Sequence, residues 1–202
     1  MLRLLTFFLY FFFSLEGFSQ ILPSSHGVHH KKSGGAASDT WDSSTKASCI
    51  TLSNSNLTSL ESNCTPSWNN IYGSTGVSSG IKEWEITIDA WDNMVSNSYD
   101  VMIGVSKLRT QNPSTAVGNG SYCYILQNGQ KFISDSGYSA SNYGASYGVG
   151  DVIKISLNMD TNQITFYKNG VSQGVAFTVS NGTYYLVAAY VANTNTQITI
   201  TG

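Results

Sequence analysis

The stretch from Gly150 to Gly170 leaves this chain little conformational choice. Ile153, Ile155, Leu157 and Met159 recur at every second position, with Lys154, Ser156, Asn158 and Asp160 between them. That period sends alternate side chains to opposite faces and predicts a half-buried strand. Asp160-Thr161-Asn162 predicts a tight hairpin loop, in which Asn162 is the residue best able to take the left-handed conformation. The chain returns through Ile164 and Phe166, and Asn169-Gly170 suits both central positions of a type I′ turn. The run therefore reads as three antiparallel strands.

The 202 residues leave room for one domain of roughly 160 residues beyond the N-terminal segment, enough to bury about two-thirds of its surface. A net charge of −2 with only 10 Lys and Arg lacks the basic stripe by which proteins neutralise phosphates, so nucleic acid is not an expected partner. Charged residues make up 11% of the chain, against about 25% in ordinary soluble domains. The surface is therefore built from Ser, Thr, Asn, Gly and Tyr, which suits an extracellular protein that meets uncharged ligands.

Met1-Leu2-Arg3 supplies a positive start, and Leu4 to Leu15 is an apolar run. As a helix that run spans about 18 Å, short of the roughly 30 Å hydrocarbon core. Residues 1–19 read as a signal peptide, with the small residues Gly17 and Ser19 at the cleavage positions and Gln20 as the new N-terminus. The alternative is an uncleaved membrane anchor flanked by Lys31-Lys32. Residues 20–40 read as a linker and 41–202 as the domain. His26, His29 and His30 fall in the linker with no Cys or acidic neighbour, which is a poor metal site. No metal or cofactor is expected.

Cys49-Ile50-Thr51-Leu52 and Leu57-Thr58-Ser59-Leu60 read as two strands around Asn54-Ser55-Asn56, and folding on that turn brings Cys49 towards Cys64. A disulfide there fits a secreted chain and would stabilise it by around 3 kcal/mol. Cys123 is left over, in an apolar context that predicts burial. Asn56, Asn63, Asn119 and Asn181 each begin an Asn-X-Ser/Thr pattern, of consequence only in a glycosylating host.

Ser79-Gly80-Ile81-Lys82-Glu83-Trp84-Glu85-Ile86-Thr87-Ile88 and Val101-Met102-Ile103-Gly104-Val105 precede the hairpin run. After them come Gly150-Asp151-Val152-Ile153, Met159-Asp160, Phe166-Tyr167-Lys168-Asn169-Gly170 and Gly174-Val175-Ala176-Phe177. In this order and spacing the chain resembles the SPRY (B30.2-type) domain family from Ala47 to its C-terminus. The resemblance implies a bent two-sheet antiparallel β-sandwich, of concanavalin-like jelly-roll type, that binds partners without catalysis. Trp41 to Gly76 has room for a hairpin and a connecting strand, as in the short SPRY form without a PRY extension. In peptide-binding members the loop corresponding to Lys107–Gly120 and the last loop contribute to one binding face. The last loop here, Ala192-Asn193-Thr194-Asn195-Thr196, lacks the aromatic residue those members carry.

Trp91 to Ser98, Lys107 to Gly120 and Ser134 to Gly148 read as long loops, and Tyr amid Ser, Gly and Asn is a composition suited to adaptable contacts. The candidate contact residues are Trp91, Arg109, Tyr138, Tyr143, Asn193 and Asn195; the alternative for the tyrosines is packing over the ends of the sandwich. The expected function is non-enzymatic recognition of a protein partner through edge loops. A glycan-binding adhesion module is the alternative. A glycoside hydrolase using Glu83, Glu85 and Asp89, which share one strand face, is more distant. If Cys49 and Cys64 are bridged, full reduction adds two hydrogens to the intact mass; equal masses before and after would remove the bridge.

Overall fold

Every strand forecast from the alternating run is present. The computed structural model describes residues 39–64, 68–92, 101–109, 117, 120–134, 137–191 and 195–202. Along the chain run β1 (Trp41–Lys46), β2 (Ile50–Ser53), β3 (Thr58–Glu61), β4 (Trp68–Gly73), β5 (Ile81–Ala90), β6 (Val101–Ser106) and β7 (Ser121–Ile125). They are followed by β8 (Gln130–Ile133), β9 (Ser139–Asn142), β10 (Val152–Asn158), β11 (Gln163–Lys168), β12 (Val171–Thr178), β13 (Tyr185–Val191) and β14 (Gln197–Ile200). One sheet has the order β1-β4-β13-β6-β7-β8-β9 and the other β12-β11-β10-β5-β14-β3-β2. All pairings are antiparallel.

The turn chemistry explains the central hairpins. Asn162 takes φ 56°, and Asn169 and Gly170 take 49° and 79°, the left-handed values their turns require. The register then sets Ile155 opposite both Phe166 and Trp84, so the inward residues of three strands form one row. Trp84, Ile86 and Ile88 are buried and Glu83 and Glu85 exposed, as the alternation predicts. From the facing sheet Ile103, Val105, Tyr122, Tyr124, Leu186 and Tyr190 complete the core. Tyr124 meets Phe166 with ring centroids 5.3 Å apart, and Tyr122 meets Phe177 edge-on at the same distance. Edge-to-face and tilted pairs of this kind add to area burial.

The first sheet departs from simple alternation. Tyr72, Met102, Cys123, Ile125, Phe132, Val187 and Ala189 are buried on its outer face in a second apolar cluster that includes Val117. Cys123 is thus buried as expected, and burial pushes its thiol pKa up. Gly104 of Ile103-Gly104-Val105 sits between the clusters, where a Cβ would stand 2.0 Å from the Tyr122 carbonyl oxygen. Only glycine lets β6 and β7 approach so closely.

Two segments differ from the sequence reading. Trp41 to Gly76 forms four strands, because β1 pairs with β4 in one sheet while the β2–β3 hairpin joins the other. Ser134 to Gly148 contains β9, whose Ser139-Ala140-Ser141-Asn142 shows no apolar alternation because it lies at a sheet edge and is held by backbone pairing to β8. That side of the sandwich is stitched shut. The carbonyls of Gly174 and Ala176 on edge strand β12 accept from Tyr143 Oη (2.6 Å) and Lys131 Nζ (2.7 Å), both from the opposite sheet's side. Side chains here occupy groups that an added strand would use.

Cys49 and Cys64 flank the β2–β3 hairpin and are bridged, with Cα atoms 5.3 Å apart. A second fastener lies where the chain enters the sandwich. Asp39 is buried; its Oδ2 accepts from Trp84 Nε1 at 2.9 Å, and its Oδ1 accepts from Ser74 Oγ at 2.7 Å and Thr75 N at 3.0 Å. Asp39 and Thr40 therefore bond into the fold although the sequence reading assigned them to the linker. Asp39→Ala leaves those donors buried and unpaired, and a loss of about 3 kcal/mol is expected from the denaturant midpoint. A loss under about 1 kcal/mol would show that the carboxylate does not hold the entry.

Candidate binding face

Strand register divides the candidate residues between two ends of the sandwich. On β6 and β13, Ser106 stands opposite Tyr185 and Val101 opposite Tyr190. The Lys107 loop therefore leaves one end of this pair and the loop after Val191 leaves the other, about 17 Å away at strand rise. Trp41 pairs with Gly73, and Ser74 N donates to Thr40 O, so the chain enters at the Lys107 end. We name this the entry end and the opposite one the distal end.

At the entry end Arg109 is committed to the fold. Its Nη2 donates to the Asp42 carboxylate, to Thr45 Oγ1 at 2.9 Å and to Gly73 O at 3.3 Å, while the guanidinium lies over the Tyr185 ring at 4.6 Å. It clamps β1 and β4 across β13. Partial burial alone would raise the Asp42 pKa, but hydrogen bonds from Ser44 and the Arg109 guanidinium outweigh it and hold the pKa below 3.8. Lys107 bonds to Ser180 Oγ and lies over the Tyr184 ring at 5.4 Å. Between the two cations Leu108 is 50% exposed. Tyr138, 51% exposed, stacks on Phe132 at 6.1 Å.

The distal end gathers Trp91 and Asn195. Trp91 follows Ala90, which pairs with Gln197. Asn195 Nδ2 donates to Asp92 Oδ2 at 2.9 Å, joining the two loop mouths. Asn193 lies outside the described residues. Tyr143 is also on this side but turns inward: Phe166 N donates to its hydroxyl at 3.2 Å, and its ring meets Tyr124 edge-on at 5.4 Å. Tyr147 is buried and donates to Tyr124 O at 2.8 Å. Burial, reinforced by Tyr143 and Asp151, pushes the Tyr124 hydroxyl up to about 12. Of the three loop tyrosines, 143 and 147 thus pack under the sandwich end and only Tyr138 stays open.

Asp151 was not singled out as a site residue, yet it organises two neighbouring distal turns. It accepts from Asn169 Nδ2 at 2.7 Å and Gly148 N at 2.9 Å, and pairs with Lys168 at 3.1 Å. Partial burial raises its pKa, but these partners outweigh that and leave it below 3.8. The signal was present in the sequence as an Asp after Gly148-Val149-Gly150 and an Asn-Gly turn one hairpin later, although nothing local states that the two turns touch.

Glu83, Glu85 and Asp89 lie along the outer surface of the second sheet. Glu83 pairs with Lys154 at 3.3 Å and Asp89 accepts from Thr199 Oγ1 at 2.5 Å. Glu83 and Glu85 are exposed. Among the described residues no cluster of three or more His, Cys, Asp or Glu is arranged for a metal, and the three linker histidines lie outside the described residues.

The described strands form a two-sheet antiparallel β-sandwich with the turns at Gly148 and Asn169 braced by Asp151. The family model for the SPRY domain matches residues 82–202, and the chain belongs to that family, whose domains are protein-interaction modules. Its structure is similar to the SPRY domain of human HERC1 at TM-score 0.62 and 22% identity, over 79% of this chain and 96% of that one. It is also similar to the TRIM65 PSpry domain, at TM-score 0.60 and 16% identity, over 82% and 93%. A further human SPRY domain matches at TM-score 0.56 and 14% identity, over 75% and 94%.

Because Arg109 is a clamp, Arg109→Ala is expected to lower stability by about 1–3 kcal/mol at neutral pH. Asp42 has a folded pKa below its unfolded value, so its contribution is present above pH 3.8 and lost as pH falls through the folded pKa. The gap between wild type and variant in thermal melts should therefore shrink on acidification below pH 3.8. An unchanged melting temperature at pH 7 would return Arg109 to the surface.

Proposed function

We propose that this SPRY domain is exported and recognises a protein partner through its distal end, around Asn195, while Trp91 packs partly against the core. The observation that carries the location is the register of β6 against β13. By that register Trp91 and Asn195 lie at the end opposite Asp39 and Thr40. At the entry end Arg109 and Lys107 are already spent on the fold.

Export is supported by the apolar N-terminal run and by the Cys49–Cys64 bridge. Reducing compartments keep such pairs as thiols. Few charges on the chain favour a contact of shape and apolar area over one of charge.

The test separates the two halves. The full chain is expressed in a secreting host, and the protein in the medium should begin at Gln20; retention of Met1 in a membrane fraction would replace export with anchoring. A photo-crosslinking residue is then set at Asn195 and, separately, at Tyr138, with the protein applied to intact cells. Protease-sensitive adducts from Asn195 alone are expected. Adducts from Tyr138 alone would move recognition to the entry end, and adducts removed by glycosidases would make the ligand a glycan.

A further inference from the structure

We propose that on export Asn181 becomes the principal acceptor of an N-linked glycan, which then stands at the entry end. This rests on the export reading above and names a modification that export brings. The acceptor is the side-chain amide of Asn181-Gly182-Thr183. Its nitrogen forms a bond to the anomeric carbon of a lipid diphosphate-linked oligosaccharide. The lipid diphosphate leaves with the electron pair of the broken carbon–oxygen bond, and one amide proton passes to a base of the transferase. Asn56, Asn63 and Asn119 begin the same pattern, so the sequence alone leaves four equivalent candidates. The fold makes them unequal.

Asn181 and Thr183 are both exposed, and among the described residues neither the Asn181 amide nor the Thr183 hydroxyl has a hydrogen-bond partner. The backbone around them is held on both sides. Val179 N donates to Asn162 O at 2.8 Å, and Tyr184 N donates to Val77 O at 2.9 Å. Tyr184 Oη donates to Ser180 O at 2.8 Å, Lys107 Nζ donates to Ser180 Oγ, and a Cβ at Gly182 would stand 3.0 Å from Lys107 Cε. Ser180 and Tyr184 thus carry the bonds of this turn, while the acceptor amide and the hydroxyl two residues on, which a transferase reads, stay in water.

The other three patterns close as the domain folds. Asn56 is half-buried and its carbonyl accepts from Trp41 N, while Thr58 is buried with its hydroxyl 2.8 Å from that of Thr199. Cys64, the middle residue of the Asn63 pattern, is buried and bridged to Cys49; Thr65 lies outside the described residues. Asn119 also lies outside them, and its Ser121 is buried with the hydroxyl 2.6 Å from Val117 O. At these three positions transfer competes with folding, whereas Asn181 offers the same groups before folding and after it. Tyr185 stands opposite Ser106, so the Asn181 turn shares the entry end with Lys107 and Leu108. A bulky hydrophilic group there stands at the end opposite Asn195.

The full chain is expressed in a secreting eukaryotic host as wild type, Asn181→Gln, Thr183→Ala and Thr183→Ser. Peptide N-glycosidase in heavy-oxygen water converts each glycosylated Asn to labelled Asp, so mass spectrometry of the digested protein reads occupancy site by site. The highest occupancy is expected at Asn181, lost in Asn181→Gln and Thr183→Ala and kept in Thr183→Ser. Both side chains are exposed, and thermal melts of the variants should move little. An unmodified Asn181 in protein recovered from the medium, or occupancy as high at Asn56, Asn63 or Asn119, would overturn the proposal while leaving export standing. An unmodified chain retained in the cell with Met1 would overturn both. An occupied Asn181 on a membrane-bound chain would support the acceptor and replace secretion with anchoring.

Discussion

Trp84, Ile155 and Phe166 stand side by side on three hydrogen-bonded strands, and the rest of the sandwich follows from that row. A slip of one residue in either pairing would turn an inward side chain out and bring Glu, Lys or Thr into the core. The turn between β10 and β11 guards the first of these pairings, because Asn162 holds the left-handed backbone its loop length requires. Trp84 carries a polar nitrogen into that core, and Asp39 satisfies it from the far end of the chain. One row therefore determines strand register and also fastens the residue where the N-terminal segment meets the domain.

In the proposed function, recognition is separated from this fastening by position. The entry end is occupied by clamps: Asp39 on Trp84, Arg109 on Asp42 and Tyr185, Lys107 on Ser180. Residues bound in this way contribute stability and have few groups left for a ligand. The distal end is rigid for a different reason. Its turns are braced by Asp151 from within, so outward side chains are released from any structural duty.

Legibility in the sequence followed the range of the interactions. The β10–β11–β12 run was readable because alternation and turn type are local, and so was the outward row of Glu83 and Glu85. The Cys49–Cys64 bridge was readable because both residues flank one hairpin. The double-sided burial of β6 and β7 was not, since the buried apolar outer face of the first sheet is formed by residues from five strands and Val117. β9 was missed because an edge strand without apolar alternation carries no periodic signal. Arg109 read as a contact residue because a cation in a loop has no local sign of its partners, which are β1, β4 and β13.

The sequence by itself determined the all-β class, the central hairpins, the inward and outward faces of β5 and the family, because each rests on residues a few positions apart or on ordered motifs. Only the tertiary structure decided that Arg109 and Asn195 belong to opposite ends, that Tyr143 and Tyr147 are packing residues, and that Asp151 braces two turns. Those outcomes depend on which strands become neighbours across a sheet and between sheets. That choice is made by burying the whole apolar surface at once, a global minimum that no single window of sequence contains.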